Sequence, residues 1–292
     1  LWENVFQKDS MMDIVQKFMN LKDGKTLIFP RYHQLDVVRK LLADVRQNGA
    51  GHNYLIQHSA GSGKSNSIAW LAHQLTGLED AQGNLLVDSV IVVTDRVVLD
   101  KQIRDTIRQF AQTRNIIAWA EHSGDLRKAI EDGRRIIITT IGKFPYVLPE
   151  IGEDHKDRHF DIIIDEAHSS QNGKTAGTMN MTLSAIMSDP DMDNEDKINA
   201  MCEGKKLLTN ASYFAFTATP KNKTLETFGT AYEDAGVIKH RPFHVYTMKQ
   251  AIQEGFILDV LKYYTPIDSY YRLKKTVEDD PMFDKKKAQK KL

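Results

Sequence analysis

At 292 residues, 41% of them hydrophobic, the chain is long enough for one large core and part of another, so one α/β domain with flanking pieces is expected. Its 39 basic and 39 acidic residues cancel, which excludes a globally basic nucleic-acid binder and leaves any such surface local. The single cysteine, Cys202, excludes an internal disulfide and a Cys-x-x-Cys metal knuckle, and no apolar run approaches the ~20 residues that span a bilayer, so the expectation is a reducing, cytoplasmic setting with no membrane contact.

Residues 1–25 read as a helical connector, with a helix from Asp9 or Ser10 to Phe18 and a turn at Lys22-Asp23-Gly24. From Tyr32 to Gln47 the residues Leu35, Val38, Leu41, Leu42 and Val45 share one helical face, and Asn48-Gly49 supplies the stop. Strand and helix signals then alternate: strand Asn53–His58, helix Gly63–Leu75, strand Ser89–Thr94, helix Val97–Phe110, strand Asn115–Trp119, a helix capped by Ser123, strand Arg134–Thr140, and strands Phe160–Asp165 and Tyr213–Thr217. Continuous apolar strands separated by helices predict a central, mostly parallel sheet covered on both faces, with ligands beyond the carboxyl ends of the strands. Between the last two strands, Gly173 to Asn210 is polar and reads as an insertion with one helix near Thr182–Met187. A short strand Phe243–Thr247, a helix Lys249–Gln253 and a β-like segment Val260–Thr265 read as the entrance to a second, incomplete domain, placing domain boundaries at 26–245 and 246–292. The opening Leu1-Trp2 and the Lys-rich end suggest an excised piece of something larger.

Two motifs carry chemistry. Ser59-Ala60-Gly61-Ser62-Gly63-Lys64-Ser65 follows an apolar strand and opens a helix, the context in which backbone N–H groups of Ala60 to Ser65 cradle phosphates and Lys64 adds a point charge. Only the inner half fits G-x-x-x-x-G-K-[ST], because His58 stands where the first glycine belongs. Asp165-Glu166-Ala167-His168 ends the second apolar strand. Alone it can also be read, less readily, as an acidic pair stabilised at a helix N-terminus. Together the motifs read as an ATP site: Lys64 on the β- and γ-phosphates, Ser65 and Asp165 holding magnesium, and Glu166 polarising the attacking water. His168 is by default a surface-loop histidine; beside a γ-phosphate it can relay charge to Thr217-Ala218-Thr219-Pro220.

Arg31-Tyr32-His33-Gln34, Ala60 to Ser65, Thr94-Asp95-Arg96, Thr139-Thr140-x-x-Lys143-Phe144, Asp165 to His168 and Thr217-Ala218-Thr219 resemble, in order, the motifs of superfamily 2 helicases and translocases. That resemblance implies a RecA-like P-loop domain in which Gln34 reads the adenine edge and Thr217 and Thr219, with His168, couple nucleotide state to movement. It also implies that Thr94, Arg96, Thr139, Thr140 and Lys143 line the nucleic-acid track. The longer strings Val93 to Gln102, Asp165 to Gln171, Phe216 to Pro220 and Tyr246 to Ile252 are similar to the motor, or restriction, subunit of type I restriction-modification enzymes. Over residues 25–265 that similarity implies translocation along double-stranded DNA in a complex with methyltransferase and specificity subunits. Ser169 departs from the arginine many relatives carry there, and the family's amino-terminal nuclease is not among these residues, so cleavage is not expected of them. Glu203-Gly204-Lys205 has the E-x-K form of a nuclease triplet but no strand pattern around it and is rejected.

Two other readings stay open. Asp-Glu-Ala-His also occurs in RNA and DNA-repair helicases, and a docking module could keep this fold and bind nucleotide without motor activity. No arginine-rich motif follows Thr247, so slow turnover by this piece alone is expected. The Lys-rich stretch from Lys274 reads as a solvated end in preference to a DNA strap.

Overall fold

The computed structural model describes residues 5–22, 25–49, 51–94, 105–107, 116–120, 122–140, 155–165, 210–259 and 262. Several expectations lie outside them: most of the helix at 97–110, the 173–210 insertion except its last residue, Cys202, the segment Val260–Thr265 apart from Lys262, and the Lys-rich end.

The helices are α1 (Lys8–Lys17), α2 (Tyr32–Asn48), α3 (Lys64–Leu75), α4 (Ser123–Glu131), α5 (Asn222–Phe228) and α6 (Met248–Gln253). The strands are β1 (Asn20–Lys22), β2 (Thr26–Ile28), β3 (Asn53–His58), β4 (Ser89–Thr94), β5 (Ile117–Trp119), β6 (Ile136–Thr140), β7 (Phe160–Asp165), β8 (Ala211–Thr217), β9 (Thr230–Asp234), β10 (Val237–Arg241) and β11 (His244–Tyr246). Seven of them form one sheet in the order β11-β3-β8-β7-β4-β6-β5, every neighbouring pair parallel. This is the central sheet that a RecA-like α/β domain requires.

Parallel strands are buried on both faces, and the sequence shows it. Every residue of β4, β7 and β8 is buried. Alternate residues enter two separate cores. On one face Tyr54, Ile56, Val90, Val92, Ile136, Ile138, Ile163, Phe214 and Phe216 pack with α1, α2 and α3. On the other, Leu55, Ile91, Val93, Ile137, Ile162, Ile164 and Tyr213 pack with Leu126 and Ile130 of α4 and Phe228 of α5. Each fully buried Val, Leu, Ile or Phe contributes roughly 1.5–3 kcal/mol of transfer free energy.

The amino-terminal segment, read as a connector, adds to the first core. Ile14 and Phe18 are fully buried, the Phe18 ring lies 5.6 Å from Trp70, and Trp70 Nε1 donates to the Phe18 carbonyl at 2.8 Å. Ser123 is the first residue of α4 and not its cap; His122 holds that place, its backbone N–H donating to Asp125 Oδ2 at 2.8 Å. The β1–β2 and β9–β10 hairpins and α5 carry too few residues to show a sequence period. β11 is the seventh strand of the main sheet, paired with β3, so the domain boundary expected between 245 and 246 falls inside a strand. Among the described residues no helix is long and apolar enough to cross a membrane.

Candidate functional site

The strand register brings the expected site residues to one edge. Ile56 of β3 lies opposite Phe216 of β8, which lies opposite Asp165 of β7. Val93 pairs with Ile164, so Thr94 is level with Asp165, and Thr94 pairs with Thr140. The glycine loop leaving β3 and the carboxylate ending β7 are thus two strand steps apart, roughly 10 Å between backbones. Asp165 is 4% exposed and Lys64 9%.

Gly63 caps α3 in the left-handed region, φ 78° and ψ 38°, and a Cβ there would run into the Gln34 amide. Only glycine meets both demands without strain. The first turn of α2 then grips three consecutive loop carbonyls. Arg31 Nη1 donates to Gly61 O at 2.9 Å, His33 Nε2 to Ser62 O at 2.9 Å, and Gln34 Nε2 to Ser62 O at 3.2 Å and Gly63 O at 2.9 Å. In a trans peptide the carbonyl and the following N–H point in opposite directions. Turning the carbonyls of Ser62 and Gly63 toward α2 therefore aims the N–H groups of Gly63 and Lys64 away from it, over the start of α3. Ser59 and Ser62 also hold buried hydroxyls with no hydrogen-bond partner among the described residues. Buried polar groups of this kind, at the N-terminus of a 12-residue helix beside a lysine, fit a phosphate chain.

Behind the loop lies a histidine corner. His58 Nε2 meets His244 Nδ1 at 2.8 Å, and His244 Nε2 meets Asp36 Oδ2 at 3.0 Å. The Asp36 carboxylate accepts, so His244 carries its proton on Nε2 and accepts at Nδ1, and His58 donates from Nε2. Burial lowers the proton affinity of all three rings: His58 is pushed down to about 2 by desolvation, then by His244, His33 and Lys64; His33 and His244 are lowered first by desolvation. The His33 ring stacks on Tyr246, 3.7 Å between centroids at 10°. Tyr246 and Tyr32 both donate to Glu254, at 2.7 and 2.9 Å. Arg31 lies 3.7 Å over the Phe256 ring, and Ile257 covers Gly61 so closely that a Cβ on that glycine would meet it at 2.5 Å.

Of the expected phosphate and metal residues, Ala60, Gly61, Ser62, Gly63, Lys64, Ser65 and Asp165 gather at this edge. Glu166, His168, Arg96 and Lys143 lie outside the described residues. Gln34, expected to read adenine, is 2% exposed with its amide engaged: Oε1 accepts from Arg31 N at 2.9 Å while Nε2 braces the loop. Thr94 and Thr139 are 0% and 1% exposed, and Thr94 Oγ1 lies 3.4 Å from Thr139 O, so their hydroxyls face protein; Thr140 is half-buried. Thr217 is fully buried and Thr219 exposed. Sequence reasoning gave no role to Arg31, His33, His58, His244 or Tyr246. The available signals were the strings Arg31 to Gln34 and Tyr246 to Ile252 and His58 standing where a glycine was expected.

Comparisons with known proteins place the sequence in a family. A family model described as SWI2/SNF2 ATPase matches residues 33–291. A Mycoplasma pneumoniae chain, provisionally named the C-terminal part of the type I restriction enzyme MpnIIP endonuclease subunit, is 28% identical over 182 residues, 57% of this chain and 84% of that one. The type I restriction enzyme SauMSSORF170P endonuclease subunit of Staphylococcus aureus is 24% identical over 264 residues, 88% of this chain, which spans only 24% of that subunit's length. Among solved structures, the Sulfolobus solfataricus SWI2/SNF2 ATPase core in complex with dsDNA aligns with 69% of this chain and 35% of its own, at 17% identity and a TM-score of 0.42. The family match takes in the glycine loop, Asp165 and the strands between them, and on that match the chain belongs to the SWI2/SNF2 ATPase family.

Proposed function

We propose that the chain binds Mg-ATP at the Gly61–Ser65 turn and forms the first lobe of a motor that moves double-stranded DNA, as part of a type I restriction complex with methyltransferase and specificity subunits. One observation carries the ATP site: α2 holds the loop carbonyls on one side while the N–H groups of Gly63 and Lys64 point to the other, on the sheet edge that also presents Asp165. Lys64 binds the β- and γ-phosphates, and Ser65 and Asp165 hold magnesium, which supplies charge neutralisation of the transferring phosphoryl group. Glu166 follows Asp165 in sequence and is assigned the water. Gln34 has to release the loop to reach an adenine. The restriction reading is supported by the names of the curated relatives. Thr140, with Arg96 and Lys143, is the nucleic-acid track that this reading retains.

Binding of Mg-ATPγS by the full chain against Lys64→Ala tests the site; equal affinities defeat it. DNA-stimulated ATP hydrolysis by the complete parent polypeptide, with Glu166→Gln as control, tests the motor. Stimulation by RNA alone favours a helicase of another kind, and binding without stimulated hydrolysis favours a docking module.

A further inference from the structure

We propose that His33 is a positioning residue for the nucleotide loop, acting through a single Nε2–H donor held in place by Tyr246. This rests on reading that loop as the ATP site. The loop is gripped at two points by elements far apart in sequence. At its start, Ser59 N donates to Tyr246 O at 3.0 Å; at its centre, His33 Nε2 donates to Ser62 O at 2.9 Å. The two grips are one unit, because the His33 ring lies flat on the Tyr246 ring, 3.7 Å away, and the Tyr246 hydroxyl is tied to Glu254 at 2.7 Å.

A backbone carbonyl can only accept, so the Ser62 contact fixes the His33 tautomer as Nε2–H. The other nitrogen, Nδ1, is buried with no partner among the described residues, and the residue is 1% exposed. A second proton would thus sit buried without an acceptor, disfavoured first by desolvation and then by Arg31 and His244, with the Ser62 hydrogen bond and Glu254 opposing. His33 is a neutral, one-way donor. Its target fixes the Ser62–Gly63 peptide plane, and with it the direction of the Gly63 N–H. Gln34 shares the Ser62 carbonyl at 3.2 Å, so losing His33 loosens this plane without abolishing the brace.

The test separates donor from ring by measuring Mg-ATPγS affinity and cooperative thermal unfolding of the full chain. His33→Phe keeps a ring for Tyr246 and loses the donor; an affinity loss of about tenfold is expected, the scale of one buried hydrogen bond. His33→Gln restores an N–H at the reach of Nε2 and is expected to bind within about threefold of wild type. Wild-type affinity in the Phe variant overturns the proposal, and so does a Gln variant as weak as the Phe variant, since packing alone then explains both. If the Phe variant does not unfold cooperatively, the Gln variant decides by itself: wild-type affinity upholds the donor, and a tenfold loss overturns it. Lys64→Ala, measured in parallel, distinguishes the two levels. Unchanged affinity there removes the ATP site itself, whereas a loss there beside full binding by His33→Phe removes only the role of His33.

Discussion

The two ends of the parallel sheet bury ionisable groups in opposite senses. At the carboxyl end, His33, His58 and His244 are kept deprotonated, each shifted down from 6.5, chiefly by desolvation. At the amino end, Asp161, the second residue of β7, is 1% exposed and is kept protonated, pushed up by desolvation to about 7 against a partly compensating hydrogen bond from Ser212. Burial disfavours charge in both places, yet the pH responses run in opposite directions. The Asp161 contribution is fully present below its ordinary value of 3.8 and is lost as pH rises through about 7. The histidine contribution is present above 6.5 and is lost as pH falls below it. Mild acid therefore loosens the nucleotide corner while securing the opposite end of the same strands.

The largest expected effect erases the difference by removing what both ends share. Phe214 is fully buried in β8 and stacks 4.8 Å from Tyr54; Phe214→Ala is expected to lower stability by about 3–5 kcal/mol in urea unfolding at any pH. Next, Gly63→Ala acts on the carboxyl end alone. Its φ of 78° costs a side chain about 1–2 kcal/mol, and the Cβ displaces Gln34, so Mg-ATPγS affinity falls more than tenfold and stability falls by about that same 1–2 kcal/mol, less than in Phe214→Ala. Asp161→Asn removes the alkaline arm. The variant is expected to be more stable than wild type at pH 8 and no more stable at pH 4, and a wild-type pH profile in the variant assigns the alkaline arm elsewhere. His58→Leu is expected to shrink the gap in melting temperature between pH 7.5 and pH 5, a smaller change because His33 and His244 still titrate. The smallest effect marks the baseline: Ile238, 72% exposed on β10, changed to Ser should shift stability by about 0.5 kcal/mol or less.

The sheet and its helices were legible because their signals are local. Three consecutive isoleucines in β6 and again in β7 can only be buried strand, and the spacing of Leu35, Val38, Leu41 and Val45 names the inner face of α2. Gly61, Gly63, Lys64 and Ser65 were legible for the same reason. The histidine corner was not, because its partners are joined by the fold alone: His58 and His244 meet across the β3–β11 pairing, and Asp36 reaches them from α2. Each ring alone looks like an ordinary histidine. Thr94 and Thr139 show the converse. Their place near the strand tips was readable, but the burial of both side chains, with the Thr94 hydroxyl against the Thr139 carbonyl, depends on how β4 and β6 pack in the sheet.

The outer strands of the sheet have a bearing on solubility. Among the described residues β11 and β5, at its two margins, are three residues each, whereas the five strands between them run from five to seven. A margin that short offers few backbone groups for another chain to copy, so a sheet made of aggregation-prone isoleucine and valine runs is shielded from zippering onto its own kind.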